Sequence, residues 1–270
     1  MFHAIEHIKA RRSVRSFDGN VLDDNIKETL KSAMNEITNP FQIPVEFKFM
    51  DAKEHGLSCP VVTGTDLYVG GKIENVTNAS AAFGYSFEVF VLLAQSLRLG
   101  TVWLGGTMNR GAFEKGMELG ENEMMPCASP IGYPAKKMSL RENMMRKAVK
   151  ADERLPFEEL FFDGAMQIPL TKEKAGELLV PLEMVRLAPS AVNKQPWRIL
   201  AENEMIHFYL KRSKGFGKEG KLDMQMIDMG IALCHFELAA KECGLKIEFV
   251  QKEPEIAQQD AEYVASYRVV

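Results

Sequence analysis

Arg11-Arg12-Ser13-Val14-Arg15-Ser16-Phe17-Asp18-Gly19 is the stretch from which the rest of the chain is best read. Three guanidiniums and a hydroxyl within five residues form a donor set for a phosphate. Arginine presents planar paired donors and keeps its charge at any working pH. The other reading is a basic helix end that complements the dipole of the short helix ahead of it. The stretch ends in Phe17-Asp18-Gly19, which recurs 145 residues later as Phe162-Asp163-Gly164. Leu93-Ala94-Gln95 recurs at the same spacing as Leu238-Ala239-Ala240. In each half the order is Phe-Asp-Gly, helix, Pro-containing turn, strand, long apolar helix. A shared offset with a shared element order implies an internal duplication, with halves at 1–150 and 151–270.

The halves keep different parts. The first has the arginines and Gly132-Tyr133-Pro134. The second has no arginine cluster before its Asp163-Gly164, but it carries Ala188-Pro189-Ser190-Ala191-Val192-Asn193-Lys194-Gln195-Pro196-Trp197. At the equivalent place the first half reads Met34-Asn35-Glu36-Ile37-Thr38-Asn39-Pro40-Phe41, without that pattern.

Hydrophobic spacing predicts a helix over Phe2–Ala10 and another to about Glu36, capped by Asp23 or Asp24 with Ile26, Leu30 and Ala33 inward. Strands are expected at Val45–Met50, Leu67–Gly70 and Cys127–Ile131. Ala79–Leu99 is apolar nearly all round and reads as the most buried helix. It carries Glu88 and Arg98, which suits a core helix rather than a membrane span. Ala135–Lys150 is basic and reads as a solvated helix face. In the second half Thr171 is expected to cap a helix to about Leu187, with Leu178, Leu179, Leu182 and Val185 inward. Trp197–Ala201 and Met205–Leu210 read as a hairpin turning at Glu202-Asn203, and Lys211–Lys221 as a loop. Met224–Cys243 reads as a second apolar helix, followed by strands at Leu245–Gln251 and Glu262–Val269.

The 270 residues, 46% of them hydrophobic, suffice for one large core or two modest ones. A net charge of −4 argues against a nucleic-acid binder, so the local arginines suit a small anion. The four cysteines form no C-x-x-C pair, and no histidines have metal-ligand spacing, so isolated thiols and no metal are expected. Met1 leads into no signal-like apolar run, which points to a cytoplasmic protein without a membrane partner.

Taken together, the two motif segments resemble the FMN-dependent nitroreductase family. Its members are usually homodimers with two FMN sites at the subunit interface. An Arg-Arg-Ser-x-Arg motif holds the ribityl phosphate from one subunit, and a Pro-Ser-x-x-Asn motif reaches the isoalloxazine from the other. The resemblance implies an α+β, nitroreductase-like fold in two duplicated halves. Each half would have an antiparallel-rich sheet packed by helices, and together they would form an intrachain pseudo-dimer, hence a monomer. By position, Arg11, Arg12, Ser13 and Arg15 match the phosphate and ribityl ligands. Pro189, Ser190, Ala191 and Asn193 match the contribution from the other half, with Gln195 and Trp197 structural. Leu104, Gly105 and Gly106 resemble the loop beside the reactive edge of the flavin, where small residues let backbone N–H groups approach N5. A simple turn is the other reading of these glycines. Arg141 matches the family's downstream basic residue near the phosphate, with Lys137 second. Lys194 is a candidate for charge beside N1 and C2=O.

The resemblance implies FMN as cofactor and NADH or NADPH as reductant. Hydride would pass through FMN in a ping-pong cycle to a nitro compound, a quinone or another small acceptor, with no catalytic side chain. The alternative is a non-catalytic FMN-binding or degenerate ligand-binding protein. The second interface site, lacking both motifs, is expected to be dead.

Overall fold

In the computed structural model, residues 3–216, 222–254 and 260–270 are described. Phe2 and the 217–221 end of the expected Lys211–Lys221 loop lie outside them. The chain divides into two compact units. One is Ala10–Ala151; the other joins the leading segment through Lys9 to Asp152–Val270.

In chain order to residue 151 the elements are α1 (Ala4–Ala10), α2 (Asp24–Glu36), β1 (Val45–Asp51), α3 (Ala52–His55), β2 (Leu67–Glu74) and α4 (Ala79–Ser96). Then follow β3 (Gly100–Thr101), α5 (Arg110–Met117), β4 (Glu123–Met124), β5 (Ala128–Gly132) and α6 (Leu140–Ala148). Asp23 caps α2, its carboxylate accepting from the Asn25 N–H at 2.8 Å. Leu30 and Met34 face inward from that helix. The strands pair antiparallel in the order β1-β2-β5-β3. Helix α4 is buried on nearly every side, as its all-round apolar sequence requires. Phe87 of α4 sits 4.8 Å from the Trp103 ring and 5.9 Å from that of Phe47.

The second unit contains α7 (Phe157–Leu160), β6 (Phe161–Asp163), β7 (Ala165–Pro169), α8 (Leu179–Arg186), β8 (Trp197–Glu202), β9 (Met205–Leu210), α9 (Met224–Glu242), β10 (Ile247–Val250) and β11 (Glu262–Val269). Its sheet runs β10-β11-β9-β8-β6-β7. Phe236 of α9 packs edge-on to Phe208 at 5.4 Å, and the Tyr267 hydroxyl donates to Glu237 at 2.6 Å. His235 is fully buried and bonds the Met184 carbonyl at 2.8 Å.

The duplication shows in both units. Four strands have the same order in each, β1-β2-β5-β3 and β8-β9-β11-β10. The long helices α4 and α9 begin at residues 79 and 224, again 145 apart. Gly19 and Gly164, which close the repeated tripeptide, both have positive φ, 86° and 67°. The leading helix groups with the second unit. Helix α1 is pinned to α9 by the Ile5 N–H on Glu242 at 2.9 Å, whereas α6 belongs with the first unit.

Some expectations are corrected. The helix expected from Thr171 begins only at Leu179. The Thr171 hydroxyl and carbonyl cap just one turn, at Lys174, and Gly176 at φ 53° breaks the helical run. Leu178 and Leu179 are therefore half-buried, whereas Leu182 and Val185 are buried as expected. The hairpin turns at Asn203-Glu204, one residue late, because Asn203 takes the left-handed φ of 54°.

One glycine holds the arginine stretch against its sheet. The Phe17 N–H donates to the Thr63 carbonyl, and the Gly19 N–H to that of Gly64. Gly64 has φ 83°, and a Cβ there would stand 2.2 Å from the Phe17 carbonyl oxygen. Gly64→Ala is expected to cost about 2 kcal/mol or more. Gly56→Ala, at φ 63° in open space, should cost about 1 kcal/mol. Urea unfolding of both variants checks the difference.

Candidate functional site

The arginine stretch is stitched into the first unit by its backbone. Val14 N–H donates to the Thr101 carbonyl, Thr63 N–H to Arg15, and Asp18 N–H to Tyr133. Ser13 bridges Thr101 in parallel. This frame fixes where Arg11, Arg12 and Arg15 begin, and each guanidinium then meets an acid or another cation. Arg11 is buried, with Nε 3.9 Å from Glu88, itself fully buried on α4. Glu88 also accepts from Trp103 Nε1 at 3.0 Å. Arg12 Nη1 lies 3.4 Å from Glu142 on α6. Arg15 feels the same Glu142. Burial is the main cause that lowers the affinity of Arg11 and of Arg15 for their protons. The like charge of Arg146 adds to it, and Glu88 and Glu142 respectively oppose it.

Arg146, one turn beyond Glu142 on α6, adds its positive charge to the field at Arg11 and Arg15. Arg141 reaches the Pro60 carbonyl at 2.5 Å instead. The Nε atoms of Arg11 and Arg15 are buried and have no hydrogen-bond partner. Unpaired donors within a concentration of positive charge are costly, and an anion with several acceptor oxygens relieves them. The ribityl phosphate of FMN fits this donor set.

Leu104, Gly105 and Gly106 follow Trp103. Leu104 is buried and exchanges both backbone bonds with Ala128, at 2.8 and 3.1 Å. The Gly105 carbonyl accepts from Arg110 at 2.6 Å, and Arg110 also grips the carbonyls of Met125 and Pro126. Gly106 faces open space, so the backbone there is accessible.

In the second unit Pro189–Gln195 forms a turn after α8. The Ala191 N–H donates to both oxygens of Asp228 on α9, at 2.9 and 3.1 Å. The Ser190 hydroxyl accepts from the Gln195 N–H at 2.9 Å. Asn193 accepts from Arg154 at 3.4 Å and donates to the Glu153 carbonyl at 3.0 Å. Val192, Asn193 and Gln195 all take positive φ, of 43°, 56° and 49°. For a β-branched residue such as Val192 this is strained backbone, of the kind held only by the bonds around it. Gln195 is structural, accepting from the Leu155 N–H at 2.9 Å. Lys194 closes the short 3-10 turn.

Asp228, Glu88, Arg110, Arg146 and Arg154 are absent from the motif reading. The sequence signal for Glu88 is that it is the lone carboxylate of an apolar helix, and for Asp228 that it is the first carboxylate of another, set among Met226, Ile227, Met229 and Ile231. For Arg146 the signal is its position four residues from Glu142.

Burial, with Asp223 nearby, pushes the Asp228 carboxyl well above the usual carboxylate range, against the opposing Ala191 N–H bond. A raised carboxyl binds its proton more tightly folded than unfolded. Its contribution to stability is therefore full below the unfolded value and lost as pH rises through the folded one. Asp228→Asn keeps an acceptor for Ala191 and stays neutral. Its stability relative to the wild type is expected to improve steadily as pH rises from about 4, read from urea midpoints across pH.

Residues 3–240 match the family model described as "Putative TM nitroreductase". Among solved structures, a protein described as a putative nitroreductase from Thermotoga maritima MSB8 is 21% identical, with a TM-score of 0.63. The match covers 98% of this chain and 92% of that one. A protein from Bacteroides thetaiotaomicron VPI-5482, described as a putative NADH dehydrogenase/NAD(P)H nitroreductase, is 20% identical with a TM-score of 0.43. It covers 50% of this chain and 89% of its own. An FMN-dependent nitroreductase from Clostridium difficile R20291 is 16% identical with a TM-score of 0.42, over 53% of this chain and 95% of its own. No curated protein matches. No helix among the described residues is long and apolar enough to cross a membrane. With nearly the whole chain inside one family model, on the α+β fold described above, this protein belongs to the "Putative TM nitroreductase" family.

Proposed function

We propose that this chain is a cytoplasmic FMN-dependent NAD(P)H oxidoreductase that reduces a nitro compound, a quinone or another small acceptor. The observation that carries the reading is the arginine cluster, with the Nε atoms of Arg11 and Arg15 buried and without hydrogen-bond partners. FMN, when bound, supplies the hydride and electron chemistry. The residues of the chain bind and orient it. Arg11, Arg12, Ser13 and Arg15 hold the phosphate, and Arg146 adds positive charge. Arg110 keeps the Leu104-Gly105-Gly106 backbone in one shape. Asp228 does the same for the turn of Pro189, Ser190, Ala191 and Asn193.

On this reading the protein is a monomeric pseudo-dimer. The common strand order and the 145-residue spacing of α4 and α9 support it. One set of site parts is complete. In the repeat, Glu158 and Glu159 stand where Ser13 and Val14 stand in the first half, so the second site is dead toward phosphate.

Two experiments test this. The double variant Arg11→Ala, Arg15→Ala should lose at least about a hundredfold in FMN affinity by spectral titration, and remain folded by circular dichroism. Unchanged affinity would contradict the phosphate assignment. Anaerobic NADH or NADPH should bleach the bound flavin of the wild type. Flavin that stays yellow with both would favour the non-catalytic binder.

A further inference from the structure

Helix α6 is docked in an unusual way. Its one buried residue is an acid, Glu142, which is 1% exposed. Two of its large apolar side chains face outward instead: Leu140 is 84% exposed and Met144 71%. An amphipathic helix ordinarily buries that stripe and leaves its charges in water. The other ties of this segment are polar as well. The Ser139 N–H donates to the Ser16 hydroxyl at 3.2 Å, and Arg141 to the Pro60 carbonyl.

The buried carboxylate is only half satisfied. One oxygen lies 3.4 Å from Arg12 Nη1, while the other is buried without a hydrogen-bond partner. The nearby Arg15 has its own unpaired Nε. A single carboxylate therefore stands among guanidiniums that it does not saturate. A phosphate, with more acceptor oxygens and up to two charges, saturates them better. The two anions call on the same donors, and at close range like charges disfavour joint occupancy.

We propose that Glu142 is a built-in rival of the phosphate. Its carboxylate holds the arginines in the absence of ligand, and a phosphate displaces it and loosens α6. The proposal rests on the reading of Arg12 and Arg15 as phosphate ligands. It makes Glu142 a determinant of how tightly, and for which anion, the site closes.

The test titrates wild type and Glu142→Gln with inorganic phosphate, FMN and riboflavin by calorimetry. Glu142→Gln should bind inorganic phosphate and FMN about tenfold more tightly, with riboflavin unchanged. Equal or weaker phosphate binding by the variant would overturn the proposal. Hydrogen exchange on the wild type gives a second reading that needs no variant. Adding inorganic phosphate should speed amide exchange across residues 140–148, and unchanged or slower exchange would overturn the proposal. The ligands also separate this inference from the flavin reading. Phosphate gain without FMN binding removes the cofactor and leaves the rivalry standing; FMN binding without phosphate gain does the reverse.

Discussion

Burying guanidinium charge is the constraint on which this structure turns. Taking an ion out of water costs several kcal/mol even after the protein relaxes. The Arg11 side chain is carried inside and Arg15 is half-buried, and the acids near them offset that cost only in part. The rest of the first unit holds them there. Backbone bonds to Thr63, Thr101 and Tyr133 fix the stretch, and these residues lie in or beside the sheet on which α4 packs. The apolar core does not itself recognise anything. It supplies the rigidity that keeps like charges together, with the Nε atoms of Arg11 and Arg15 buried and without hydrogen-bond partners.

The two units show how one scaffold carries different duties. Strand order and the long central helix are common to both, because either half must bury the same sheet face. What differs lies at the edges and turns. The first half keeps a cationic entry segment. The second replaces it with Phe157–Leu160, a short helix leading into a strand parallel to β8. In exchange it builds the left-handed turn at Val192–Gln195, anchored on the buried Asp228. Function on such a scaffold is a property of these local departures.

Much of the fold was legible in the sequence because it rests on strong periodic signals. The buried helices α4 and α9, the Asp23 cap and the β8–β9 hairpin all follow from spacing and local chemistry. The helix expected from Thr171 starts late because Gly176 takes a positive φ, which the apolar spacing running across it does not reveal. The candidate site is legible where charge is dense in sequence, at Arg11–Arg15. It is hidden where one charge sits in a long apolar or basic run. Glu88, Asp228 and Glu142 acquire meaning from partners that lie far from them in the chain: Arg11, Ala191 and Arg12. Arg141 and Arg146 belong to one basic helix, and the spacing of charges along it does not distinguish their partners; Arg141 donates to the Pro60 carbonyl, and the charge of Arg146 acts on Arg11 and Arg15.

The most direct test of the account is the FMN stoichiometry of the purified protein, measured by equilibrium dialysis with the mass of the complex in solution. One FMN per chain on a single-chain particle is the predicted result, because only one half carries the arginines. Two per chain would contradict the loss of the second site. A tight two-chain particle would contradict the pseudo-dimer, and no binding at all would contradict the cofactor reading itself.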